Sequence, residues 1–340
     1  MSDDRTHRHP VSPIPPTADC IIIGGGIVGA SAALFLAGAG IRPVLLDSAP
    51  DLGLRTTAMS AHCIRAQFSE PENIRMMAES LRFYENFGEH IGAANDPSPI
   101  GLRQQGYLFA STDPADRQAF VARATVQRDA GLDDVYVLDG DTARTMFPWL
   151  SHDIVVATWR ERDGWIDGSL ATRLMARASG IPRHLDVTVD EILVEHDRVT
   201  GVLTSRGYIA TDTVILAAGP FCLGLSPEPL PIALKRRHRL ILGPHPGIPQ
   251  NGPVTIDANT GSHWRPHHGG ALLAWAREEP DAKARWPVRP DPAFADLVLR
   301  SKGGVGRLSP FWFDLATSGV PHSAVLTAGH YTMTPDHRPL

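Results

Sequence analysis

Gly24, Gly26 and Gly29 follow the apolar run Ile21-Ile22-Ile23 at the spacing Gly-x-Gly-x-x-Gly. A helical apolar pattern continues through Ala39, and a second apolar run, 43–46, ends in Asp47. This order predicts strand, turn, helix and strand, the layout of a dinucleotide-binding βαβ unit. Each glycine has its own task. Gly24 permits the tight turn, Gly26 lets the backbone approach a pyrophosphate, and Gly29 lets the helix pack close to the strand. Ile27 and Val28 open the helix, whose first N–H groups and positive dipole end suit phosphate. Asp47 falls about 20 residues past the motif, where a carboxylate can accept from ribose hydroxyls. A glycine-rich helix entry without a ligand is the alternative, but it does not explain the second strand and its terminal acid. The uncharged stretch 20–41 is long enough to span a bilayer, yet six glycines interrupt it and its pattern divides into strand and helix.

The elements that must position these residues fit a chain of about two domains, with 340 residues and 43% hydrophobic content. A net charge of −5 argues against nucleic acid as the main partner. Cys20, Cys63 and Cys222 are far apart and form no CxxC, which points to a reducing, cytoplasmic compartment. Residues 1–17, rich in Pro, His and charge, read as a disordered tail rather than a signal peptide. Helical periodicity is expected over 71–87, with Ile74, Met77, Leu81 and Tyr84 on one face. Residues 106–110 read as a strand and 113–131 as a helix, with Asp113 as cap and Pro114 in the first turn. A helix is expected at 168–178 and another near 292–300. The runs 187–195, 199–204 and 208–209 form a small β meander, which leads into a buried strand, 213–218, ending at Gly219.

Five segments together resemble the FAD-dependent oxidoreductases of the D-amino-acid oxidase superfamily, especially the sarcosine oxidase, dimethylglycine dehydrogenase and glycine oxidase group. They are the glycine motif, residues 56–68 (TTAMSAHCIRAQF), Gly106-Tyr107-Leu108-Phe109, Asp163-Gly164-Trp165-Ile166-Asp167, and residues 328–336 (AGHYTMTPD). The resemblance implies an α/β, two-domain flavoprotein with a Rossmann-like FAD domain and a mixed antiparallel-sheet substrate domain. The FAD domain is expected to be discontinuous, 18–90 with 151–225 and 323–340, and the substrate domain to hold 91–150 and 226–322. The strand ending in Ala218 and Gly219 is expected to return to the first sheet.

The same resemblance selects FAD, held without a covalent bond. Thr56, Thr57 and Ser60 match a loop that runs beneath the flavin and meets pyrophosphate and ribityl groups. Val189 matches a position whose backbone meets adenine. Arg65 matches an arginine that holds a substrate carboxylate, a bidentate pairing suited to amino acids. A structural ion pair is its alternative. Tyr331 matches a tyrosine beside the flavin, and a core tyrosine is the alternative there. His62 is a further candidate to face the flavin ring. The implied activity is oxidation of a secondary amine or amino acid by hydride transfer to the flavin. An NAD-dependent oxidoreductase and a non-catalytic, truncated flavoprotein homologue are the competing readings. The implied partners are a small amine or amino acid and an unspecified electron acceptor, with no nucleic acid and no membrane span.

Three departures qualify the likeness. Gly329 stands where some sarcosine oxidases carry a flavin-linking cysteine. Residues 269–274 hold no lysine, the residue those oxidases use to activate oxygen, which favours a dehydrogenase. Relatives also continue well past the TPD segment, so the form ending at Leu340 is expected to hold FAD weakly and to associate. His263, His267 and His268 have a spacing compatible with metal ligands, but residues 264–270 resemble the family's hairpin. Neither a nucleophile elbow nor a P-loop is present.

Overall fold

Three uninterrupted apolar runs, Ile21–Ile23, Val44–Leu46 and Val214–Leu216, are built for a parallel sheet covered on both faces. In the computed structural model, which describes residues 13–94, 99–318 and 323–336, they form one. The order is Val214–Leu216, Ile21–Ile23, Val44–Leu46 and Arg183–His184, all parallel. The strand near residue 215 does return to the glycine-motif strand, with Ile21 opposite both Val44 and Val214. The helix Ile27–Gly38 follows the glycine turn. The meander forms as Val189–Glu195, Arg198–Thr204 and Gly207–Ala210, each strand antiparallel to the next. Its buried side chains Val189, Ile192, Val202 and Ile209 join Ile21, Ile23, Val44 and Leu46 in one apolar cluster.

These elements belong to the first of two units, Met1–Leu54 with Thr172–Leu230. Residues 1–12 lie outside the described residues. The rest of the expected tail is not free chain: Ala210 N–H donates to Pro16 O, and Ala18 N–H donates to Ala210 O.

The second unit is Arg55–Ala171 with Pro231–Leu340. Its nine-stranded sheet runs Pro280–Asp281, Ala233–Leu242, Gly270–Trp275, Ser262–His267, Val254–Asp257, Tyr107–Ser111, Val156–Arg160 and Tyr136–Asp139. Val325–Met333 adds to Ala233–Leu242. Val254–Asp257 and Tyr107–Ser111 are parallel, and the other pairs are antiparallel. Leu240, Leu242, Trp264 and Leu273 share one face and form a core with Phe294, Val298 and Leu299 of the helix Phe294–Arg300 and Trp312 of Phe311–Ser318. Residues opposite one another share a face. The other face therefore carries the row Thr327, Arg239, Ala274, His263, Ile256 and Phe109.

This division departs from the expected one. Residues 55–90 and 151–171 cluster with the large sheet. So does 323–336, because nine successive residues of Val325–Met333 pair with Ala233–Ile241. The expected helix over 113–131 divides into the 3-10 turn Pro114–Asp116 and the helix Arg117–Asp129, with Asp113 accepting from Ala115 N–H. The hairpin 264–270 turns at His268 and Gly269, both at positive φ (50° and 79°), as a two-residue turn matching the strand twist requires.

Asp163 is fully buried between this sheet and the strand pair Cys63–Ile64 and Gly164–Trp165. Arg160 Nη1 and the Ala66 N–H donate to its Oδ1, at 2.6 and 3.0 Å, and Gln67 Nε2 donates to Oδ2 at 3.3 Å. Removing the carboxylate leaves Arg160 buried with its charge matched only by Asp134. Asp163→Ala should cost about 3–5 kcal/mol, read from urea unfolding followed by circular dichroism. A loss below about 1 kcal/mol, the scale of an exposed pair, would show that the ion pair is dispensable.

Candidate functional site

In the first unit the glycine loop is sterically committed. A Cβ on Gly24, at φ 111°, would lie 2.4 Å from Ala217 O, and one on Gly29 would lie 1.9 Å from Gly24 O. Gly26, in extended backbone, caps the helix without a side chain, and the first turn holds no acid. An incoming phosphate therefore meets no built-in carboxylate there. Val28 is exposed beside Ile27 in this turn. Asp47 does more than its position predicts. Its Oδ2 accepts from Gly25 N–H and its Oδ1 from Ala49 N–H at 2.7 Å. The carboxylate thus locks the glycine loop and retains lone-pair capacity for a ribose hydroxyl. Val189 opens the first meander strand, and Ala218 and Gly219 start a 3-10 turn beside Gly24. These residues fit a dinucleotide pyrophosphate and ribose.

The second unit carries the other expected residues. Thr56 and Thr57 begin the short helix Thr56–Met59. Ser60 and Ala61 follow it, and their carbonyls are held from below by two arginines that sequence reading did not single out. Arg239 Nη1 donates to Ser60 O at 2.6 Å, and Arg265 Nε donates to Ala61 O at 3.0 Å. His62 takes the left-handed conformation, φ 56°, and its Nε2 bonds Thr57 O at 2.8 Å. Arg65 leaves the strand Cys63–Ile64, and its guanidinium lies 3.9 Å from the Phe68 ring centre and 5.2 Å from that of Phe109. Nη1 donates to Gln67 O. Among the described residues no carboxylate pairs with Arg65. Tyr331 is about half exposed on Val325–Met333, opposite Lys235, with its ring centre 5.6 Å from the Arg237 guanidinium.

The structure thus brings His62, Arg65 and Tyr331 into the unit that holds the basic sheet face, together with Arg237, Arg239, His263 and Arg265. A period-two count would have put Arg237 and Arg239 on one face, but nothing local says which strands lie beside them. Leu272, buried, fills the same face opposite Arg265, where the lysine is absent. A Cβ on Gly329 would lie 2.7 Å from Met59 Cβ, so Met59 occupies the space a cysteine side chain would need. Among the described residues no group of three or more His, Cys, Asp or Glu side chains is placed to hold a metal ion.

The basic face also sets protonation. Burial lowers the His62 pKa, Thr57 O opposes that, and Arg239 and Arg265 lower it further. Burial, then Arg265 and His268, hold His267 down to about 4. Burial lowers Arg265, and burial with the nearby Arg265 charge lowers Arg239. Burial raises all three free thiols, Cys20, Cys63 and Cys222.

A glycine cradle on a parallel βαβ unit, with a mixed sheet carrying a basic face, is a two-domain flavoprotein architecture. The sequence profile of the family described as "DAO: FAD dependent oxidoreductase" matches residues 19–303, and the chain belongs to that family. It is 34% identical over 176 residues to "FAD-dependent oxidoreductase domain-containing protein 1" of Xenopus laevis, covering 49% of this chain and 35% of that protein. It is 25% identical over 321 residues to "4-methylaminobutanoate oxidase (formaldehyde-forming)" of Paenarthrobacter nicotinovorans, covering 89% of this chain and 38% of that one. The chain therefore spans little more than a third of the length of these curated relatives. Among solved structures, L-proline dehydrogenase from P. horikoshii superposes with a TM-score of 0.82 at 23% identity, over 96% of this chain and 84% of that one. Glycine oxidase from Bacillus cereus gives 0.77 at 20% identity, over 95% and 85%. These two show the fold. Among the described residues no helix is long and apolar enough to cross a membrane.

His267 gives a signed pH dependence. Below about pH 6.5 the unfolded chain takes up a proton that the folded chain refuses until about pH 4. Stability should therefore fall as pH drops through that window. His267→Gln should reduce the fall, measured by urea unfolding at pH 7 and pH 4.5. An equal loss in both proteins would assign the acid sensitivity to other groups.

Proposed function

We propose that the protein oxidises a secondary amine or an amino acid, with FAD bound non-covalently. The observation that carries this reading is Arg65, stacked on aromatic rings on a cation-rich face and lacking a carboxylate partner among the described residues. A guanidinium so placed suits a substrate carboxylate, to which it can offer two parallel N–H groups. Gly24, Gly26, Gly29 and the first turn at Ile27 and Val28 would hold the pyrophosphate. Asp47 would accept from the ribose, the Val189 backbone would meet adenine, and Ala218 and Gly219 would close the cradle. Thr56, Thr57 and Ser60 would donate to phosphate and ribityl oxygens. FAD, when bound, supplies the acceptor for the substrate's C–H hydride.

The chain's own residues prepare that event. Arg65 binds and orients the carboxylate. His62 is disfavoured as a cation, and when its Nε2 donates to Thr57 O its Nδ1 is the free acceptor. A neutral imidazole there can take a proton from the substrate ammonium, leaving the amine neutral. Tyr331, at the other end of the face, would stand beside the flavin. The Met59 side chain against Gly329 supports a flavin without a thioether at that position.

Gly26→Val should abolish flavin binding while the fold persists, read as loss of the flavin absorbance bands in protein with unchanged circular dichroism. Equal flavin content in both proteins would remove the glycine loop from the cofactor site. Arg65→Ala should weaken amino-acid substrates by about 2–5 kcal/mol, the cost of truncating one side of a desolvated charge pair. The effect belongs in KM, with flavin content retained. Unchanged KM with lowered stability would make Arg65 structural.

A further inference from the structure

The basic face holds more positive charge than one substrate carboxylate balances. Lys235 is paired with Glu278, and Arg160 with Asp134 and Asp163. Arg239 and Arg265 spend N–H groups on the carbonyls of Ser60 and Ala61. Arg65 and Arg237 remain. Arg237 donates to Arg277 O and lies over the Tyr331 ring, and no carboxylate forms an ion pair with it among the described residues. Its nearest acids are already engaged, Glu278 by Lys235 and Glu279 by Arg236, Arg277 and His238.

His263 lies between these two cations. In register it is two strands from Ala233–Leu242, which carries Arg237, and two from Tyr107–Ser111, whose Phe109 ring lies under Arg65. Four strand steps make roughly 19 Å at the backbone. Both Arg237 and Arg65 disfavour a charge on His263, which burial already opposes. Its Nδ1 is within hydrogen-bonding distance of Gly261 O, at 3.0 Å. A neutral ring donating there presents Nε2 as an acceptor. Cation, acceptor, cation is the complement of carboxylate, amine N–H, carboxylate.

We propose that the site selects a doubly anionic amine, with one carboxylate on Arg65 and the second on Arg237. The proposal rests on the amine or amino-acid reading above, and it names the substrate class: secondary amines or amino acids bearing two carboxylates.

The test is calorimetric titration of the FAD-loaded protein with glutarate, which has two carboxylates, and with butyrate, which has one. Glutarate should bind at least about tenfold more tightly, the scale of one charge-assisted contact. Arg237→Gln should reduce glutarate to the butyrate level and leave butyrate unchanged, and Arg237→Lys should recover part of the difference. Equal affinities in the wild type, or an Arg237→Gln protein that keeps its preference, would overturn the proposal. If the glutamine variant does not fold, the wild-type ratio and the lysine variant decide. Turnover of N-methylglycine and N-carboxymethylglycine separates the two readings. Oxidation of both without preference removes the second anchor and keeps amine oxidation. No oxidation of either, with the glutarate preference intact, removes the amine reading and keeps the dianion site.

Discussion

Asp163 gives no surface to water, and its two oxygens are shared among the Ala66 N–H, the Gln67 amide and the Arg160 guanidinium. Two of those donors lie on the segment just past Cys63–Ile64, and the third lies on the sheet strand Val156–Arg160. A buried charge deprived of its donors costs several kcal/mol, so the segment cannot slide along the sheet. Arg65 sits between Ile64 and Ala66 and inherits that fixed backbone. Its guanidinium then settles on Phe68 and Phe109. The placement of the candidate anchor therefore begins with a side chain that has no part in chemistry.

A second constraint is the crowding of guanidiniums on one sheet face. Arginine tolerates this because it stays charged, spreads that charge over a plane and can direct single N–H groups at carbonyls. Arg239 and Arg265 do so at Ser60 and Ala61, which converts mutual repulsion into a clamp on the loop above. The remaining positive field acts on nearby histidines, disfavouring their cationic forms, and it attracts anions. One patch thereby sets imidazoles held neutral beside cationic guanidiniums.

The dinucleotide unit was readable because its signals are local: three glycines, two apolar runs and an acid within 30 residues. Asp47 stands out in the sequence by its place at the end of the second run, while its grip on Gly25 and Ala49 depends on how the loop folds back. The basic face was not readable. Lys235 to Arg239 look like a run of charge; alternation divides them, with Arg237 and Arg239 on one face and Arg236 and His238 on the other, but it does not say which strands lie beside them. That His263 and Arg265 join the former depends on pairings made 30 residues away. The resemblance places the segment ending in TPD in the dinucleotide domain, and nothing local says that it pairs with the large sheet. Its partner, Ala233–Leu242, lies some 90 residues earlier, and strand pairing at that range leaves no periodicity to count.

The three thiols carry a last consequence. Thiol chemistry runs through the thiolate, and burial holds Cys20, Cys63 and Cys222 in the protonated form. Thiol-directed reagents therefore meet little thiolate on the native chain. Labelling of these cysteines would then report opening of the fold rather than the chemistry of the site.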